Sequence, residues 1–151
     1  MTNKSDEQPR MTIPFTGGCA CGAIRYECNS EPLAMGQCHC RDCQRSSGGA
    51  GYYVVVVPAN SFRFTSGTPR YHFTQSVRLG RHKRGFCGEC GSPLTLVENA
   101  EGTSPVIGMS VASLDDPSWF RPGFDTFISD AQPWDHLNPA VPKFAQYPPS
   151  K

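Results

Sequence analysis

The amino-acid sequence predicts a mainly β fold made of short strands. Three observations lead to this fold class. Apolar and polar residues alternate in several short segments, 15 glycines and 14 prolines interrupt the chain at short intervals, and a single segment has the character of a helix. Helices of ten or more residues do not fit between such frequent breaks. Since 151 residues is a common size for one domain, we expect a single folded unit.

Strands are predicted wherever alternation or a β-branched run is clear. Residues 23–27 alternate as a half-buried strand does, and the valine-rich run 52–57, which a proline ends, predicts a strand buried on both faces. The alternating segments 62–65 and 71–74 flank a Gly-Thr-Pro turn and therefore predict a hairpin. Further strands are predicted at residues 93–97, 106–111 and 124–128.

One helix and two irregular ends complete the predicted organisation. The helix is expected over residues 41–46, beginning after Cys40 and ending at a pair of glycines, because glycine commonly terminates helices. Residues 1–11 are polar and predict a disordered lead, whereas the repeated prolines of residues 139–151 predict a Pro-rich tail without a regular helix. The folded domain is accordingly expected over residues 12–138.

The composition argues against several classes of partner. With 14 basic and 13 acidic residues, the formal charge of +1 gives no long-range field that would attract nucleic acid or an anionic membrane. No run approaches the roughly 20 apolar residues of a membrane helix, and the polar N-terminus does not resemble a secretion signal. A cytoplasmic protein is therefore expected. The basic run 78–84 is interpreted as a solvated loop, with capture of a small anion as the alternative.

Four of the eight cysteines have the spacing of a closed metal site. A reducing cytoplasm does not maintain structural disulfides, so such spacing indicates a metal or catalysis. Cys87 and Cys90 lie three positions apart around a glycine-containing turn, which brings two thiolates to one tetrahedral ion. Cys19 and Cys21 project to the same face of an extended segment and can supply the other two ligands. Four thiolates leave no open position, as in structural zinc. The alternative for the later pair, a redox dithiol, lacks its usual βαβ context.

Three further cysteines, Cys38, Cys40 and Cys43, lie within six residues. If all three bind one metal, a fourth position stays open for water or a substrate thiol, which is typical of catalytic zinc. His39 is less suited as the fourth ligand, because it lies between two ligands and points the opposite way along an extended segment. The alternatives are a disulfide or an iron–sulfur cluster, although a cluster normally requires four thiolates. Cys28 lies apart and is interpreted as a small apolar residue.

The three cysteine motifs, taken in order, resemble the glutathione-dependent formaldehyde-activating enzyme family, which also includes proteins of the centromere protein V type. The motifs lie at residues 18–22, 38–48 and 84–92, and the resemblance extends over about residues 15–134. It implies a β-tent fold of small antiparallel sheets with a structural zinc. It also implies two zinc ions per chain. The structural zinc is expected on Cys19, Cys21, Cys87 and Cys90, and the catalytic zinc on Cys38, Cys40 and Cys43.

The resemblance further implies a reaction. In this family glutathione adds to formaldehyde to give S-hydroxymethylglutathione, so the chain is expected to be a carbon–sulfur lyase acting on glutathione or a similar thiol. Arg41 and Arg45 are candidates for contacts to the thiol's carboxylates, and His39 and Asp42 for proton transfer, with no catalytic residue assigned beyond the metal ligands. The sequence departs from the family at Asp125, where relatives commonly have a histidine. The alternative is a non-catalytic zinc-binding protein or thiol carrier on the same fold.

Overall fold

The computed structural model describes residues 9–76, 80–98 and 104–149, and within these ranges the fold is mainly β, as predicted. Most of the predicted disordered lead, residues 1–8, lies outside the described residues. Of its remaining residues, 9–11, Met11 packs against the core. The helix is α1 (Arg41–Ser47). The strands are β1 (Phe15–Gly18), β2 (Arg25–Cys28), β3 (Ala34–Cys38), β4 (Tyr52–Pro58), β5 (Phe62–Ser66), β6 (Arg70–Gln75), β7 (Arg81–Phe86), β8 (Pro93–Val97), β9 (Val106–Ser110) and β10 (Asp125–Thr126).

The strands form two sheets. The smaller sheet has the order β1-β2-β5 and the larger the order β10-β3-β4-β9-β8-β7-β6. Neighbouring strands are antiparallel except β10, which runs parallel to β3. The core includes Tyr26 of the smaller sheet and Val55, Val57 and Met109 of the larger one, each at most 1% exposed. No helix of the described residues is long and apolar enough to cross a membrane.

Helix α1 confirms its prediction and is one residue longer. Cys40 is its N-cap, and the Cys40 thiol accepts a hydrogen bond from the Cys43 N–H. The helix ends at Gly48, whose φ of 75° lies in the left-handed region that glycine adopts without strain. The Gly48 N–H donates to the carbonyl of Gln44. Both ends of the helix are therefore fixed by residues next to the cysteine motif.

The predicted hairpin of residues 62–65 and 71–74 is wrong, because the two strands belong to different sheets. Strand β5 pairs with β2, and β6 pairs with β7. The aromatic residues of β5 explain this arrangement: the ring of Phe62 lies 5.1 Å from that of Tyr26 in the core. Tyr71 and Phe73 of β6 are 40% and 42% exposed and offer no comparable burial to β5. Packing across the core thus decides the pairing, rather than the intervening turn.

Strand β4 also departs from its prediction, since only one of its faces lies in the core. Val55 and Val57 are fully buried, whereas Val54 and Val56 on the opposite face are half-buried. In addition, residues 81–84 of the predicted basic loop belong to strand β7, and the last predicted strand, 124–128, shortens to β10. That strand ends where Phe127 adopts a left-handed φ of 57°, which does not continue a strand.

The C-terminal segment returns to the larger sheet. The Asp125 N–H donates to the carbonyl of Pro142, and the Phe144 N–H donates back to the carbonyl of Asp125, each at 2.9 Å. Farther along, the ring of Tyr147 packs edge-on against that of Phe127 at 4.9 Å. The segment thereby covers the edge of β10 and carries Tyr147 toward the cysteines of β3 and α1. The domain boundary placed before residue 139 stays a prediction.

Candidate metal centres and the adjoining cavity

The four-cysteine group consists of Cys19, Cys21, Cys87 and Cys90, whose sulfur atoms all lie within 4.8 Å of one another. The sulfur of Cys21 lies 3.6 Å from that of Cys19 and 3.8 Å from that of Cys87. Tetrahedral zinc with Zn–S bonds of about 2.3 Å requires sulfur atoms about 3.8 Å apart. The donor set and its spacing therefore fit a zinc ion, and the group can hold a metal.

Two similar turns build the four-cysteine group. In the first, the Gly22 N–H donates to the carbonyl of Cys19 at 3.2 Å; in the second, the Gly91 N–H donates to that of Cys87 at 2.8 Å. Both glycines have φ near +80°, a conformation that other residues rarely adopt. The Ile24 N–H also donates to the Cys19 sulfur at 3.2 Å. Gly22 and Gly91 thus allow the two turns that bring each cysteine pair to the same metal site.

Ser92 connects the two turns, a role that the sequence did not suggest beyond its place in the motif. Its hydroxyl oxygen accepts the Ala20 N–H at 3.0 Å and lies 3.1 Å from the Cys90 sulfur. The hydrogen bond from Ser92 lowers the pKa of the exposed Cys90 thiol to about 5. A thiolate is the form that binds a metal. Ser92 is therefore not a ligand itself but hydrogen-bonds to a ligand and helps to position it.

The three-cysteine group consists of Cys38, Cys40 and Cys43, whose sulfur atoms also lie within 4.8 Å of one another. Cys38 ends β3, Cys40 caps α1, and Cys43 lies in the helix's first turn. The Cys43 N–H donates to the Cys40 sulfur at 3.3 Å. Among the described residues, no further cysteine, histidine or carboxylate joins this group. A metal held here thus keeps a coordination position that the described side chains do not fill.

Hydrogen bonds among the three thiols shift their pKa values in different directions. Hydrogen bonds from the Cys38 and Cys43 thiols hold the pKa of Cys40 well below its usual value. The hydrogen bond with Cys40, together with burial, raises the pKa of Cys38, and hydrogen bonds with Cys38 and Cys40, together with burial, raise that of Cys43. Cys40 is therefore the preferred thiolate of the metal-free group. Binding of a divalent cation displaces the remaining thiol protons, which couples metal affinity to pH.

Arg84 of β7 lies beside this group and is only 6% exposed. Its guanidinium donates to the Cys43 sulfur at 3.5 Å and to the Ser46 hydroxyl at 3.1 Å, and its centre lies 6.0 Å from the Tyr52 ring centroid. The interpretation of Arg84 as part of a solvated loop is wrong, because the alternation of β7 turns it inward. A buried cation here offsets the negative charge that three thiolates would give a bound zinc ion.

His39 points away from the sulfur atoms, as the sequence argument expected. It is fully buried, with Nε2 3.0 Å from the Asp125 carboxylate and Nδ1 3.0 Å from that of Asp135. Lys143 lies 3.4 Å from the second oxygen of Asp125. The sequence departs from the family pattern at Asp125, and this residue therefore holds the ring of His39, which lies between Cys38 and Cys40. Neither His39 nor Asp125 lines the cavity described next, which leaves Asp42 as the better placed candidate for proton transfer.

A cavity of about 510 Å³ adjoins the three-cysteine group. Polar residues of the lining include Arg41, Asp42, His82, Arg84 and Glu98, whereas Arg45 is not part of the lining. The walls are largely apolar and are formed by Val54, Val56, Leu96, Val106, Phe124, Phe127 and Tyr147. All three cysteines of the three-cysteine group thus line a partly open cavity that is large enough for a small molecule.

Comparisons with known proteins agree with these features. A family model described as glutathione-dependent formaldehyde-activating enzyme matches residues 14–130. A curated Halomonas elongata protein named "Putative glutathione-dependent formaldehyde-activating enzyme" is 29% identical over 82 residues, or 52% of each chain, so the alignment spans about half of that relative. The crystal structure of a Rhodobacter sphaeroides protein is similar in fold, with a TM-score of 0.53 at 20% identity over 85% of this chain and 98% of that one.

Proposed function

Because the chain belongs to the glutathione-dependent formaldehyde-activating enzyme family, we propose that it is a zinc-dependent carbon–sulfur lyase. It adds glutathione or a similar thiol to formaldehyde or a related carbonyl in the cytoplasm. The four-cysteine group holds a structural zinc and the three-cysteine group a catalytic zinc. The observation that carries this proposal is that all three residues of the three-cysteine group line the cavity, and that no fourth ligand joins them among the described residues.

The residues of the three-cysteine group suit thiol activation better than carbonyl activation. Cys38, Cys40 and Cys43 would hold a zinc ion with one remaining position, and the ion would there lower the pKa of a substrate thiol toward neutral pH. Three strongly donating sulfur ligands make the ion a weak Lewis acid for a carbonyl. Arg84 balances the charge of the sulfur atoms, and the apolar walls hold the carbonyl carbon near the substrate sulfur while excluding water. The protein therefore contributes by positioning the two reactants and by balancing the charge of the sulfur ligands.

The addition needs no oxidant or reductant. A sulfur–carbon bond forms between the thiol and the carbonyl carbon, and the carbonyl oxygen takes up the proton that the thiol gives up. The carboxylate of Asp42 lines the cavity one residue from Cys43 and is placed to pass that proton. Arg41 also lines the cavity and is the proposed partner of a carboxylate of the tripeptide.

Binding of glutathione to the zinc-loaded protein tests this function. We expect saturating glutathione to shift the backbone amide resonances of residues around the cavity, with Phe124 and Tyr147 as reporters. S-methylglutathione is the matched control ligand, because it keeps both carboxylates and lacks the thiol, and it should produce much smaller shifts. Spectra unchanged by glutathione, together with unchanged metal content, would exclude the proposed thiol site.

The role of Arg84 is tested separately by metal affinity. Replacing it with methionine removes the cation beside Cys43 at similar length, so we expect the three-cysteine group to bind zinc about 10- to 100-fold more weakly. Arg84→Lys keeps the charge and should retain most of the affinity. Competition against a chromophoric chelator measures both, and the four-cysteine group serves as the internal reference. Equal affinities in Arg84→Met and the wild type would contradict the assigned role.

A further inference from the structure

An apolar face of the larger sheet is left to line the cavity instead of the core. Val54 and Val56 are half-buried there, while Val55 and Val57 fill the core from the opposite face. A sheet normally covers an apolar face with another layer of the protein. Within the described residues, Val54 and Val56 instead border the cavity of about 510 Å³. Apolar side chains that the fold does not bury are a recognition surface when a reactive group lies beside them.

The strand register places this apolar face and the reactive group on one surface. Val56 of β4 is paired with Gly108 of β9, Gly108 with Leu96 of β8, and Leu96 with Arg84 of β7. These four residues form a row across the sheet, and all of them line the cavity. The row leads from the apolar wall to the cation beside the three-cysteine group. A molecule with a reactive polar end and a hydrocarbon end matches this order.

Two glycines preserve the shape of the cavity. A Cβ at Gly108 would lie 2.7 Å from a methyl carbon of Val54, so a larger residue there would displace the valine that forms the wall. A Cβ at Gly36 of β3 would lie 2.4 Å from the ring of Phe124, which lines the cavity. Gly36 therefore lets that ring lie directly against the sheet. Both positions show that the cavity is shaped by close packing rather than left over between loops.

Formaldehyde as the carbonyl substrate would leave the apolar wall of Val54, Val56 and Leu96 without a function. Its single carbon is the reacting atom, so no hydrocarbon part remains to contact Val54, Val56 and Leu96. Glutathione carries two carboxylates and an ammonium group, which suit charged residues of the lining such as Arg41 and Asp42 better than valine and leucine. The wall therefore fits a hydrocarbon substituent on the carbonyl partner.

We propose that the site takes an aliphatic aldehyde of several carbons as its carbonyl substrate, with the hydrocarbon chain lying along Val54, Val56 and Leu96. This inference rests on the proposed function and specifies its carbonyl substrate. The thiol sulfur bonds to the aldehyde carbon, the carbonyl electron pair moves onto oxygen, and that oxygen takes the thiol proton to give a hemithioacetal. No atom is oxidised or reduced overall, and no further reactant is required.

The test compares aldehydes of increasing length with the zinc-loaded protein. Two-dimensional NMR exchange spectroscopy at equilibrium measures the enzyme-catalysed rate of hemithioacetal formation from glutathione and formaldehyde, propanal or pentanal, above the spontaneous rate. We expect kcat/KM to rise about fourfold for each methylene group that the wall covers. Val56→Thr keeps the shape of the side chain but replaces one methyl group with a hydroxyl, and should reduce the ratio of pentanal to formaldehyde activity about fivefold or more.

Leu33→Ala is the matched control variant, because Leu33 is 61% exposed and does not line the cavity. It should leave the pentanal-to-formaldehyde ratio at the wild-type value. Efficient turnover of formaldehyde without any gain for propanal or pentanal would overturn this inference and leave the proposed function in place. A ratio that Val56→Thr does not change would overturn it as well. Failure to accelerate adduct formation with every aldehyde would overturn both.

Discussion

Replacing Cys87 with serine should abolish the folded domain. Cys87 is 1% exposed and its sulfur lies 3.8 Å from that of Cys21, 66 positions earlier in the chain. A metal in the four-cysteine group therefore joins the end of β1 to the end of β7. Structural zinc contributes an apparent binding free energy of about 10–16 kcal/mol, which equals or exceeds the total stability of a typical domain, about 5–15 kcal/mol. Loss of one ligand is expected to leave no stable fold.

Thermal unfolding followed by circular dichroism measures this effect. Cys87→Ser should show no cooperative transition, whereas the wild type should unfold cooperatively. Cys28→Ala is the matched control, because Cys28 is also fully buried but lies outside both cysteine groups. Removing its sulfur should cost about 1–2 kcal/mol and leave a cooperative transition. A Cys87→Ser protein with the same midpoint as Cys28→Ala would contradict the structural role of the four-cysteine group.

Replacing Cys40 with serine should give the opposite result, a folded protein without activity. Cys40 is half-buried at the start of α1, and serine is itself a favourable N-cap, so the helix should be retained. The core packing does not depend on the Cys40 sulfur. The Cys40→Ser change, however, removes one of the three metal ligands, and that ligand is the thiol with the lowered pKa. We expect a thermal midpoint within a few degrees of the wild type and adduct formation at the spontaneous rate.

The comparison between the two variants separates the enzyme from a non-catalytic zinc protein. If both metal sites only stabilised the fold, Cys40→Ser would lose its cooperative transition as Cys87→Ser does. If the three-cysteine group acts on the thiol, Cys40→Ser keeps the transition and loses catalysis. NMR exchange measurements with glutathione and formaldehyde give the catalytic readout, and the active Cys28→Ala protein is the control. A folded Cys40→Ser protein with wild-type rates would contradict the catalytic assignment.

The grouping of the cysteines could be predicted because metal-ligand spacing is a local property. Cys87 and Cys90 share a turn, and Cys38, Cys40 and Cys43 lie within six residues, so neither set depends on long-range folding. The distant pair, Cys19 and Cys21, follows from the need for four ligands, and the structure does bring both residues to Cys87. The mainly β class was likewise accessible, since glycine and proline limit the length of every element.

Pairings that depend on the tertiary fold could not be predicted in the same way. The strands at 62–65 and 71–74 looked like a hairpin because a turn separates them, but the choice between sheets depends on the distant Tyr26. Arg84 stands in a basic run, and only the register of β7 shows that it turns inward. The contact of His39 with Asp125 joins residues 86 positions apart. Nothing in either local segment indicates such a contact.

The open apolar face of β4 has a similar explanation. A valine run fits a strand buried on both faces and a strand that buries one face against a ligand equally well, because hydrophobicity alone does not identify what covers each side. Only the positions of β8 and β9 and of the C-terminal segment show that Val54 and Val56 border a cavity. The proposed choice of aldehyde therefore depends on residues whose sequence pattern indicates a core.

The central claim is that the three-cysteine group is a metal site separate from the site that stabilises the fold. Its most direct test is the number of zinc ions per chain, determined by elemental analysis of the folded, dialysed wild-type protein and of Cys40→Ser. The two groups predict two zinc ions in the wild type and one in a folded Cys40→Ser protein. The same zinc content in both proteins, or loss of both ions from Cys40→Ser, would contradict the claim.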